Sequence, residues 1–369
     1  MNILYDHQIF LNQRFGGPSR YFCSLIDEIS KKNLVQISAP FHINNHLKKL
    51  DKKFGYGFDL NNIFFEKLPT KIKSSLKNNF FDKVNYNKLI KKIEKNKPDI
   101  IHKTYFDEFN YKTPTVLTVY DLIHEKFHYL YGKDKNYRPK KKAIESADVI
   151  ICISKSTQED LNFYYDLKEK KTKVIYLASN LKFDKMSKVK ENEKNYILFV
   201  GKRIGYKNFD KFLNAYSVSN DLRKNFKIKC FGGGEFRKAE LKLISNLNIS
   251  INEIENIQGN DIELSYLYHN ARALVYPSKY EGFGLPILEA MDNECPVICS
   301  NTSSLPEVGG EAVVYFNPEN IEEMSYKISE TIMSDDKIEN LKIKGKERVK
   351  NFTWFNCAEE TIKLYESLI

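Results

Sequence analysis

The sequence predicts an α/β fold made of two doubly wound, Rossmann-like domains. The chain has 369 residues, enough for two domains that each bury a core of their own. Strand-like apolar runs alternate with longer amphipathic segments from end to end, as in parallel sheets covered by helices. A polar, lysine-rich stretch at residues 179–195 divides these runs into two sets. We therefore expect two domains of similar architecture, joined by this stretch.

Each set of strand-like runs belongs to one predicted domain. The first domain, residues 1–178, contains the runs NILYD, DIIHK, TVLTVYD, DVIICIS and KVIYLA. The second domain, residues 196–353, contains YILFVGK, KIKCFG, RALVYPS, PVICS and AVVYF. Residues 354–369 have the spacing of an amphipathic helix. We expect this helix to pack back on the first domain, with capping of the second domain as the alternative.

The composition excludes several broad classes of protein. Hydrophobic residues make up 42% of the chain and aromatic residues 13%, which excludes wholesale disorder. No apolar run reaches the roughly 18 to 20 residues that a helix needs to cross a bilayer. Asp6 and His7 lie where a signal peptide requires an uninterrupted apolar segment. These features predict a cytoplasmic protein.

Charge and cysteine content leave the partners open. The formal net charge is +10, and much of the positive charge lies between Lys48 and Lys97. This basic region suits nucleic acid, an anionic membrane surface or only water. The six cysteines are scattered, and no carboxylate run resembles a D-x-D motif or a calcium loop. We therefore expect neither a disulfide framework nor a metal site.

The segment YEGFGLPILEAM is the strongest candidate site. Glu281 and Glu289 stand on either side of a bend made of Gly282, Phe283 and Gly284. Pro286 suits the first turn of a helix, which we expect to begin at about Leu285. A helix N-terminus offers backbone N–H groups and a positive dipole end, which suit a phosphate. Both carboxylates can therefore border one phosphate-binding pocket.

A second candidate loop carries cations after the strand YILFVGK. Lys202, Arg203 and Lys207 follow Gly201 and precede an amphipathic helix. In open α/β sheets, ligands bind in the loops that follow the carboxyl ends of the strands. Arginine offers a planar fork and lysine a point charge, so these side chains suit a diphosphate. A solvated loop in a lysine-rich protein is the alternative.

Two glycine-rich segments also follow predicted strands. In FGGPSRYF, Gly16 and Gly17 let the backbone approach a ligand closely, although a tight loop needs glycine for steric reasons alone. In CFGGGEF, Gly233 is the middle glycine of a run and is expected to border a nucleotide base through its backbone. This segment lacks the G-x-G-x-x-G spacing of a dinucleotide site, which argues against an oxidoreductase.

Polar side chains follow two adjacent strands of the first predicted domain. They are His102, Tyr105 and Asp107 after one strand, and Asp121, His124 and Glu125 after the next. Such residues can hold a hydroxylated substrate or act as a base. A structural role is the alternative for each histidine.

Four segments, taken in order, resemble a known family. They are DHQIFLNQRFGGPSRYF, ADVIICISKSTQEDL, FVGKRIGYKN and the long run that contains YEGFGLPILEAM. Together they are similar to the retaining nucleotide-sugar glycosyltransferases of family 4, which have the GT-B architecture. The seven residues between Glu281 and Glu289 are the most recognisable mark of this resemblance. The N-terminal segment is especially similar to bacterial mannosyl- and rhamnosyltransferases that build O-antigen or capsule.

The resemblance implies roles for the matching residues. Glu281 would contact the hydroxyls of the donor sugar, and Glu289 the ribose of a GDP- or UDP-linked hexose. Arg203 and Lys207 would neutralise the leaving diphosphate with no metal or other cofactor. The backbone at Phe283, Gly284 and Leu285 would assist, and so would Gly16 and Gly17.

One residue departs from the family pattern. Relatives usually have histidine in a TVHD run, where this chain has TVYD with Tyr120. We expect this tyrosine to alter the choice or the position of the sugar. We place His102, Tyr105 and Tyr120 on the acceptor side, and Asp121, which matches the family, among the catalytic residues.

The predicted function is transfer of a mannose- or rhamnose-type hexose to a growing bacterial surface glycan. The resemblance implies an acceptor linked to polyprenyl diphosphate. The basic region would then lie peripherally on the anionic inner face of the plasma membrane, with no nucleic acid as partner. The alternatives are another GT-B enzyme, such as an epimerase or a phosphorylase, and a non-enzymatic polyanion-binding protein.

Overall fold

Two parallel six-stranded sheets organise the chain. The computed structural model describes residues 1–61, 65–106, 110–128, 137–184 and 195–369. These residues form two units, Met1–Leu177 with Trp354–Ile369 as the first and Ala178–Thr353 as the second. The predicted α/β class with two Rossmann-like domains is confirmed. Most of the predicted link, residues 185–194, lies outside the described residues.

The first unit places the carboxyl ends of its strands at one edge of its sheet. Its strands are β1 (Asn2–Tyr5), β2 (Leu34–Ile37), β3 (Phe41–His42), β4 (Phe58–Asp59), β5 (Ile100–Lys103), β6 (Thr115–Val119), β7 (Val149–Cys152) and β8 (Lys171–Val174). The sheet order is β2-β1-β5-β6-β7-β8, and β3 and β4 form a separate pair. Every residue of β5, β6 and β7 is buried, as is usual for parallel strands covered on both faces. We call the edge that follows β1, β5, β6 and β7 the first carboxyl edge.

The helices of the first unit do not share one kind of start. They are α1 (Gln8–Asn12), α2 (Gly17–Ile29), α3 (Thr70–Ser75), α4 (Asp82–Asn96), α5 (Ile123–Lys126), α6 (Tyr137–Ser146) and α7 (Lys155–Tyr164). Pro18 is the second residue of α2, where its missing N–H has no partner to lose. Ser154 caps α7, because its hydroxyl accepts from the N–H of Thr157 at 2.9 Å. A π-helical turn, Leu76–Phe81, joins α3 to α4.

The second unit has the same plan. Its strands are β9 (Tyr196–Val200), β10 (Lys227–Phe231), β11 (Ile254–Ile257), β12 (Ala273–Tyr276), β13 (Val297–Ser300) and β14 (Val314–Phe316). Its helices are α8 (Phe209–Ser217), α9 (Asn220–Asn225), α10 (Lys238–Asn246), α11 (Asp261–Asn270), α12 (Leu285–Asp292), α13 (Leu305–Gly309), α14 (Ile321–Ile332) and α15 (Asp335–Val349). The parallel sheet has the order β11-β10-β9-β12-β13-β14. The loops after β9 and β12 are therefore neighbours, because these two strands pair.

The last helix, α16 (Trp354–Glu366), belongs to the first unit. Its buried face lies against α2, where the indole of Trp354 is 6.1 Å from the ring of Tyr21. The hydroxyl of Tyr365 lies 3.1 Å from that of Tyr5, on the central strand β1. None of the helices formed by the described residues is both long and apolar enough to span a bilayer.

The predicted strands and the observed strands differ at the sheet edges. Every predicted run contains or overlaps a strand, although KVIYLA overlaps β8 only at Lys173 and Val174. The strands β2 and β11 and the pair β3 and β4 were not predicted. β2 and β11 lie at sheet edges and are partly exposed, so their sequences LVQI and IENI mix polar with apolar residues. These two edge strands therefore lack the continuous apolar run that marks a central parallel strand.

Candidate functional site

The loops after β9 and β12 bring two predicted site residues into direct contact. Lys207 Nζ donates to Glu281 Oε1 at 2.6 Å and to the hydroxyl of Tyr276 at 3.1 Å. Both members of the ion pair are largely buried. Burial and the Glu281 carboxylate raise the pKa of Tyr276 well above its usual value, so this hydroxyl stays neutral. The candidate site therefore contains a lysine and a carboxylate that form one largely buried ion pair.

The neighbouring loop after β13 fixes the backbone of Glu281. The Glu281 N–H donates to the hydroxyl of Ser303 at 2.9 Å, and the Ser304 hydroxyl donates to the Glu281 carbonyl at 2.9 Å. Sequence reasoning missed both serines, because a hydroxyl in a polar loop carries no distinctive spacing. Their contacts hold the carboxylate at the carboxyl edge of the sheet.

The predicted helix after the bend is confirmed, since α12 begins at Leu285 with Pro286 as its second residue. Gly284 precedes the helix with φ of 96°, a backbone conformation that favours glycine. A Cβ at this position would lie 2.7 Å from Leu305 Cδ2. Gly282 and Phe283 complete the bend, and the ring of Phe283 packs 6.0 Å from that of Phe352. The bend therefore needs its glycine to direct the positive end of α12 toward the loop of Glu281.

Glu289 lies within α12 and is buried. Its Oε2 accepts from the hydroxyl of Tyr268 at 3.1 Å. Its carbonyl accepts from Asn293 Nδ2 at 2.6 Å. A buried carboxylate with a neutral hydroxyl donor can accept further O–H donors, such as those of a ribose diol. The predicted ribose contact itself stays a prediction.

Arg203 lies in the predicted loop after β9 and contacts the glycine segment that follows β10. The side chain is buried, and its guanidinium donates to Asn256 Oδ1 at 3.2 Å. It also donates to main-chain carbonyls of the glycine segment, at 2.7 Å to Gly232, 2.6 Å to Gly234 and 3.1 Å to Glu235. Its Nε lies 3.5 Å from the carboxylate of Glu240. Its guanidinium faces protein oxygens of the loop after β10, so Arg203 positions this loop, and its predicted contact with a diphosphate stays a prediction.

The glycine run is explained by this arginine. Gly232, Gly233 and Gly234 have φ angles of 83°, 78° and 75°. A Cβ on Gly233 would lie 3.0 Å from Arg203 Nη1 and from the Gly201 carbonyl oxygen. The glycines therefore let the loop close over the guanidinium, and a base contact by Gly233 stays a prediction.

Lys202 is the exposed cation of this loop. It follows β9 directly and precedes Arg203, so its side chain leaves the loop on the solvent side while that of Arg203 points inward. The sequence predicts that Lys202 and Arg203 lie in one loop. Only their burial in the structure shows that Lys202 is the accessible cation and Arg203 the buried one.

In the first unit, Gly16 and Gly17 begin α2. A Cβ on Gly16 would lie 2.4 Å from Gln13 Oε1, whereas one on Gly17 would meet no atom within 4 Å. Gln13 Oε1 also accepts from the N–H of Ser19 at 3.3 Å. Gly16 therefore has only a mild steric reason to be glycine, because the end of the flexible Gln13 side chain can shift. Gly17 is exposed and has none.

His102 lies in the core of the first unit. Its Nδ1 is 2.5 Å from the Tyr365 hydroxyl and its Nε2 is 2.8 Å from the Thr118 hydroxyl. Burial lowers the pKa of His102 to about 3. Both ring nitrogens are engaged within the unit and the side chain is fully buried, so the predicted acceptor contact stays a prediction. Its position is that of a structural residue that ties α16 to the sheet.

Tyr105, Tyr120 and Asp121 lie at the first carboxyl edge. Tyr120 is buried, its hydroxyl donates to the Thr104 carbonyl at 3.4 Å, and burial raises its pKa well above the usual value. Tyr105 and Asp121 are partly exposed. Of the predicted acceptor-side residues, Tyr105 is therefore the most accessible, and the predicted catalytic residue Asp121 is accessible as well. Asp107 lies outside the described residues.

A buried ion pair holds the loop of Asp121. Lys140 Nζ donates to the Asp121 carbonyl at 3.0 Å and to Glu125 Oε2 at 2.9 Å. The Tyr165 hydroxyl donates to Glu125 Oε1 at 2.5 Å. Sequence reasoning missed Lys140, because one lysine in the run RPKKK has no feature that separates it from its neighbours.

Two family models match consecutive parts of the chain. The model "Glycosyltransferase Family 4" matches residues 15–182, and "Glycosyl transferases group 1" matches residues 182–348. The boundary between the matches lies close to the boundary between the two units, at Leu177 and Ala178.

Curated relatives carry names from the same class. "O-antigen chain mannosyltransferase B" of Escherichia coli is 46% identical over 108 residues, which cover 29% of this chain and 28% of the relative. "O-antigen chain mannosyltransferase RfbU" of Salmonella typhimurium is 32% identical over 181 residues, 48% of this chain and 49% of the relative. An uncharacterized glycosyltransferase of Methanocaldococcus jannaschii is 32% identical over 62% of each chain. The chain thus spans between 28% and 62% of the length of these relatives.

Solved structures share the fold. Sucrose-phosphate synthase from Thermosynechococcus elongatus has a TM-score of 0.74 at 18% identity, covering 99% of this chain and 98% of its own. WaaG, a glycosyltransferase of lipopolysaccharide biosynthesis, has a TM-score of 0.71 at 16% identity, covering 98% of this chain and 99% of its own. Anabaena HepE, solved with UDP and glucose, has a TM-score of 0.72 at 16% identity and full coverage of both chains, 100% each. Since the two family models follow one another through both units, the chain belongs to the glycosyltransferases of family 4 and group 1 with the GT-B architecture.

Proposed function

We propose that this chain is a retaining glycosyltransferase that moves a hexose from a nucleotide-diphosphate sugar to a growing bacterial surface glycan. The observation that carries this proposal is the Lys207–Glu281 pair, held beside the N-terminus of the helix that also contains Glu289. Mannose is favoured as the sugar, because relatives from Escherichia coli and Salmonella typhimurium are named O-antigen mannosyltransferases.

Each group in the second unit would have a separate task. Glu289 would accept the hydroxyls of the ribose, and Glu281 those of the donor sugar. Lys202, Lys207 and the N-terminus of α12 would surround the diphosphate. Arg203 would act through the glycine loop that it positions, including Gly233.

The charge that these groups neutralise grows during the reaction. The bond from the anomeric carbon to the diphosphate oxygen breaks, and a bond from the acceptor oxygen forms on the same face of the sugar. The acceptor proton passes to the leaving phosphate oxygen. Cations that interact more strongly with the departing diphosphate than with the bound donor lower the activation barrier, in addition to any effect on the donor Kd. We propose that they suffice without a bound metal.

The first unit would bind the acceptor. Tyr105 and Asp121 lie partly exposed at the first carboxyl edge, where Asp121 can orient an acceptor hydroxyl. We propose a glycan linked to polyprenyl diphosphate as acceptor, at the anionic inner face of the plasma membrane. The concentration of lysines between Lys48 and Lys97 supports this location.

The proposal is tested by incubating the chain with a panel of GDP- and UDP-linked hexoses and measuring nucleotide release, with EDTA and with Mg²⁺ or Mn²⁺. We expect one donor to be consumed in the presence of EDTA, and faster when a lipid-linked glycan is added. NMR of the product should show the same anomeric configuration as that of the donor sugar. Donor binding that requires a divalent cation would contradict the metal-free mechanism. Inversion of the anomeric bond would contradict retention, and no turnover of any donor with any acceptor would contradict the activity.

A further inference from the structure

The helical segment of residues 70–81, formed by α3 and the π-helical turn, has no buried residue. We call it the docking helix. Ile72, Leu76 and Phe80 are 47%, 36% and 55% exposed, and they follow one another at four-residue spacing. A surface helix of a globular domain normally buries its apolar stripe against the core. This helix instead presents its apolar stripe to the surroundings.

The π-helical turn keeps this stripe straight. In an α-helix a step of four residues overshoots a full turn by about 40°, so a long i, i+4 row winds around the axis. A π-helical turn contains more residues per turn, so the same step undershoots. The step from Ile72 to Leu76 lies in α3 and the step from Leu76 to Phe80 lies in the π turn. The two deviations oppose each other, and the three side chains stay on one face.

A second side of the segment, next to the apolar stripe, is anchored to the first unit. The ring of Phe81 packs 5.0 Å from that of Phe41 and 5.9 Å from that of Phe65. Lys77 Nζ donates to Asn12 Oδ1 at 3.2 Å. These contacts fix the docking helix with its apolar stripe outward. Phe80 is therefore an exposed aromatic of the basic region, as is Phe58 outside this segment, while Phe81 packs inward and Phe64 lies outside the described residues.

The anchor also sets the position of the docking helix relative to the acceptor side. Asp82, which follows the segment directly, lies 2.9 Å from His7 Nε2 through its Oδ1. His7 comes shortly after the carboxyl end of β1, and Asp121 comes shortly after that of β6. Since both strands belong to one parallel sheet, the docking helix sits at the first carboxyl edge.

The stripe is flanked by positive charge. Residues 67–83 contain five lysines, Lys67, Lys71, Lys73, Lys77 and Lys83, against the single carboxylate Asp82, a net charge of +4. An apolar face bordered by lysines is typical of helices that lie in the plane of a membrane interface. Lys77 is engaged with Asn12. The stems of Lys67, Lys71 and Lys83 can lie along apolar surface while their ammonium groups reach lipid phosphates.

We propose that the docking helix inserts its stripe of Ile72, Leu76 and Phe80 into the interface of an anionic lipid bilayer. The acceptor edge would then face the membrane; only this last step rests on the proposed function. A nucleic acid would use the lysines but leave the apolar side chains without a partner. A second copy of the chain would meet like charge, because the whole chain carries +10. A bilayer with anionic headgroups satisfies both parts of the surface.

The first test is co-sedimentation of the full chain with vesicles of phosphatidylglycerol and phosphatidylcholine. We expect Phe80→Asn to weaken partitioning by roughly tenfold or more, because a phenyl ring leaves the acyl region. Phe163→Asn is the matched control. Phe163 is 81% exposed and ends α7, which begins after β7 and runs back toward the other edge of the sheet. Equal losses for both variants, or none for Phe80→Asn, would overturn the proposal.

The second test addresses charge. Each lysine is expected to contribute roughly fivefold to partitioning at low salt, with the effect fading as salt rises. Lys71→Gln should therefore weaken binding to anionic vesicles, while Lys344→Gln, an exposed lysine of the second unit, should not. Vesicles of phosphatidylcholine alone should bind the wild-type chain much less. Binding that ignores lipid charge would contradict the docking surface.

The third test reports insertion directly. Phe80→Trp fluorescence should shift to the blue and become quenchable by brominated lipid on anionic vesicles, whereas Phe163→Trp should not change. A shift caused by raised protein concentration without lipid would assign the stripe to self-association and overturn the proposal. Measuring nucleotide release with a soluble acceptor tests the enzyme activity separately from vesicle binding. Phe80→Asn should retain that release even when vesicle binding is lost.

Discussion

Lys207 Nζ and Glu281 Oε1 lie 2.6 Å apart, although 74 residues separate them in the sequence. The pairing of β9 with β12 places their loops side by side. Their side chains are only 13% and 12% exposed, so solvent screens the pair weakly. The cation assigned to the diphosphate and the carboxylate assigned to the sugar therefore form one electrostatic unit, and a substitution of either changes the other.

We expect a double-mutant cycle to reveal this coupling. Lys207→Ala should lower kcat by roughly 100-fold or more, because it removes charge that faces the leaving group. Glu281→Ala should lower kcat less in the Lys207→Ala background than in the wild-type chain, since the carboxylate then has no lysine to orient it. Steady-state kinetics of the four proteins measure the coupling. Lys211→Ala, which breaks the more exposed pair with Glu319, is the control and should leave kcat unchanged. Strict additivity would contradict a shared role.

The two glutamates of the candidate site should separate nucleotide affinity from sugar reactivity. Glu289→Ala should weaken binding of the free nucleoside diphosphate and of the intact donor alike. Glu281→Ala should leave nucleotide affinity nearly unchanged and remove hydrogen bonds to the sugar worth about 1.5 to 3 kcal/mol each, mainly from kcat. Calorimetry with nucleotide and kinetics with donor measure the two effects. A Glu281→Ala protein that turns over normally when cold but melts early would defeat the functional assignment. Glu294→Ala, at an exposed ion pair beyond α12, is the control.

Replacement of Arg203 should lower stability first. Arg203→Ala removes a buried guanidinium, leaves several carbonyls without this donor and takes away the cation beside Glu240, so we expect a loss of roughly 3 kcal/mol in the free energy of unfolding. Urea unfolding measures this loss. Arg237→Ala is the matched control, since Arg237 bonds to the same Glu240 but is 55% exposed, and it should cost no more than about 1 kcal/mol. Wild-type stability together with a large fall in kcat for Arg203→Ala would return Arg203 to the diphosphate.

His102 should make the fold sensitive to acid. Burial lowers its pKa to about 3, whereas in the unfolded chain the pKa of histidine is about 6.5. Between these values the unfolded chain binds a proton that the folded chain excludes. The stabilisation is therefore complete above about pH 6.5 and is lost as the pH falls toward 3, at up to ~1.4 kcal/mol per pH unit.

The variant His102→Gln removes this titration. Between pH 7.5 and pH 5.0 we expect wild type to lose about 2 kcal/mol more stability than the variant, measured by urea unfolding at both values. His128→Gln, at an exposed position, should behave as wild type. Equal pH dependence of wild type and His102→Gln would show that His102 protonates in the folded chain.

The sequence by itself determined the fold class, the central strands and the position of α12. Central parallel strands are buried on both faces and must be continuous apolar runs, and the Gly-Phe-Gly-Leu-Pro bend admits few backbones other than a turn into a helix. The polar edge strands β2 and β11 escaped because partial exposure relaxes that requirement.

Only the tertiary structure decided which polar residue has which partner. Arg203 and Lys202 are neighbours in sequence and both are cationic. Arg203 is buried against the glycine loop, whereas Lys202 is exposed to solvent. His102 follows the predicted pattern of an acceptor residue, yet α16, which begins about 250 residues later in the chain, supplies the hydroxyl that engages it. Apolar periodicity is local and can be read along the chain. The partner of a polar group is set by segments distant in sequence, because only the packed sheet brings their loops to one edge.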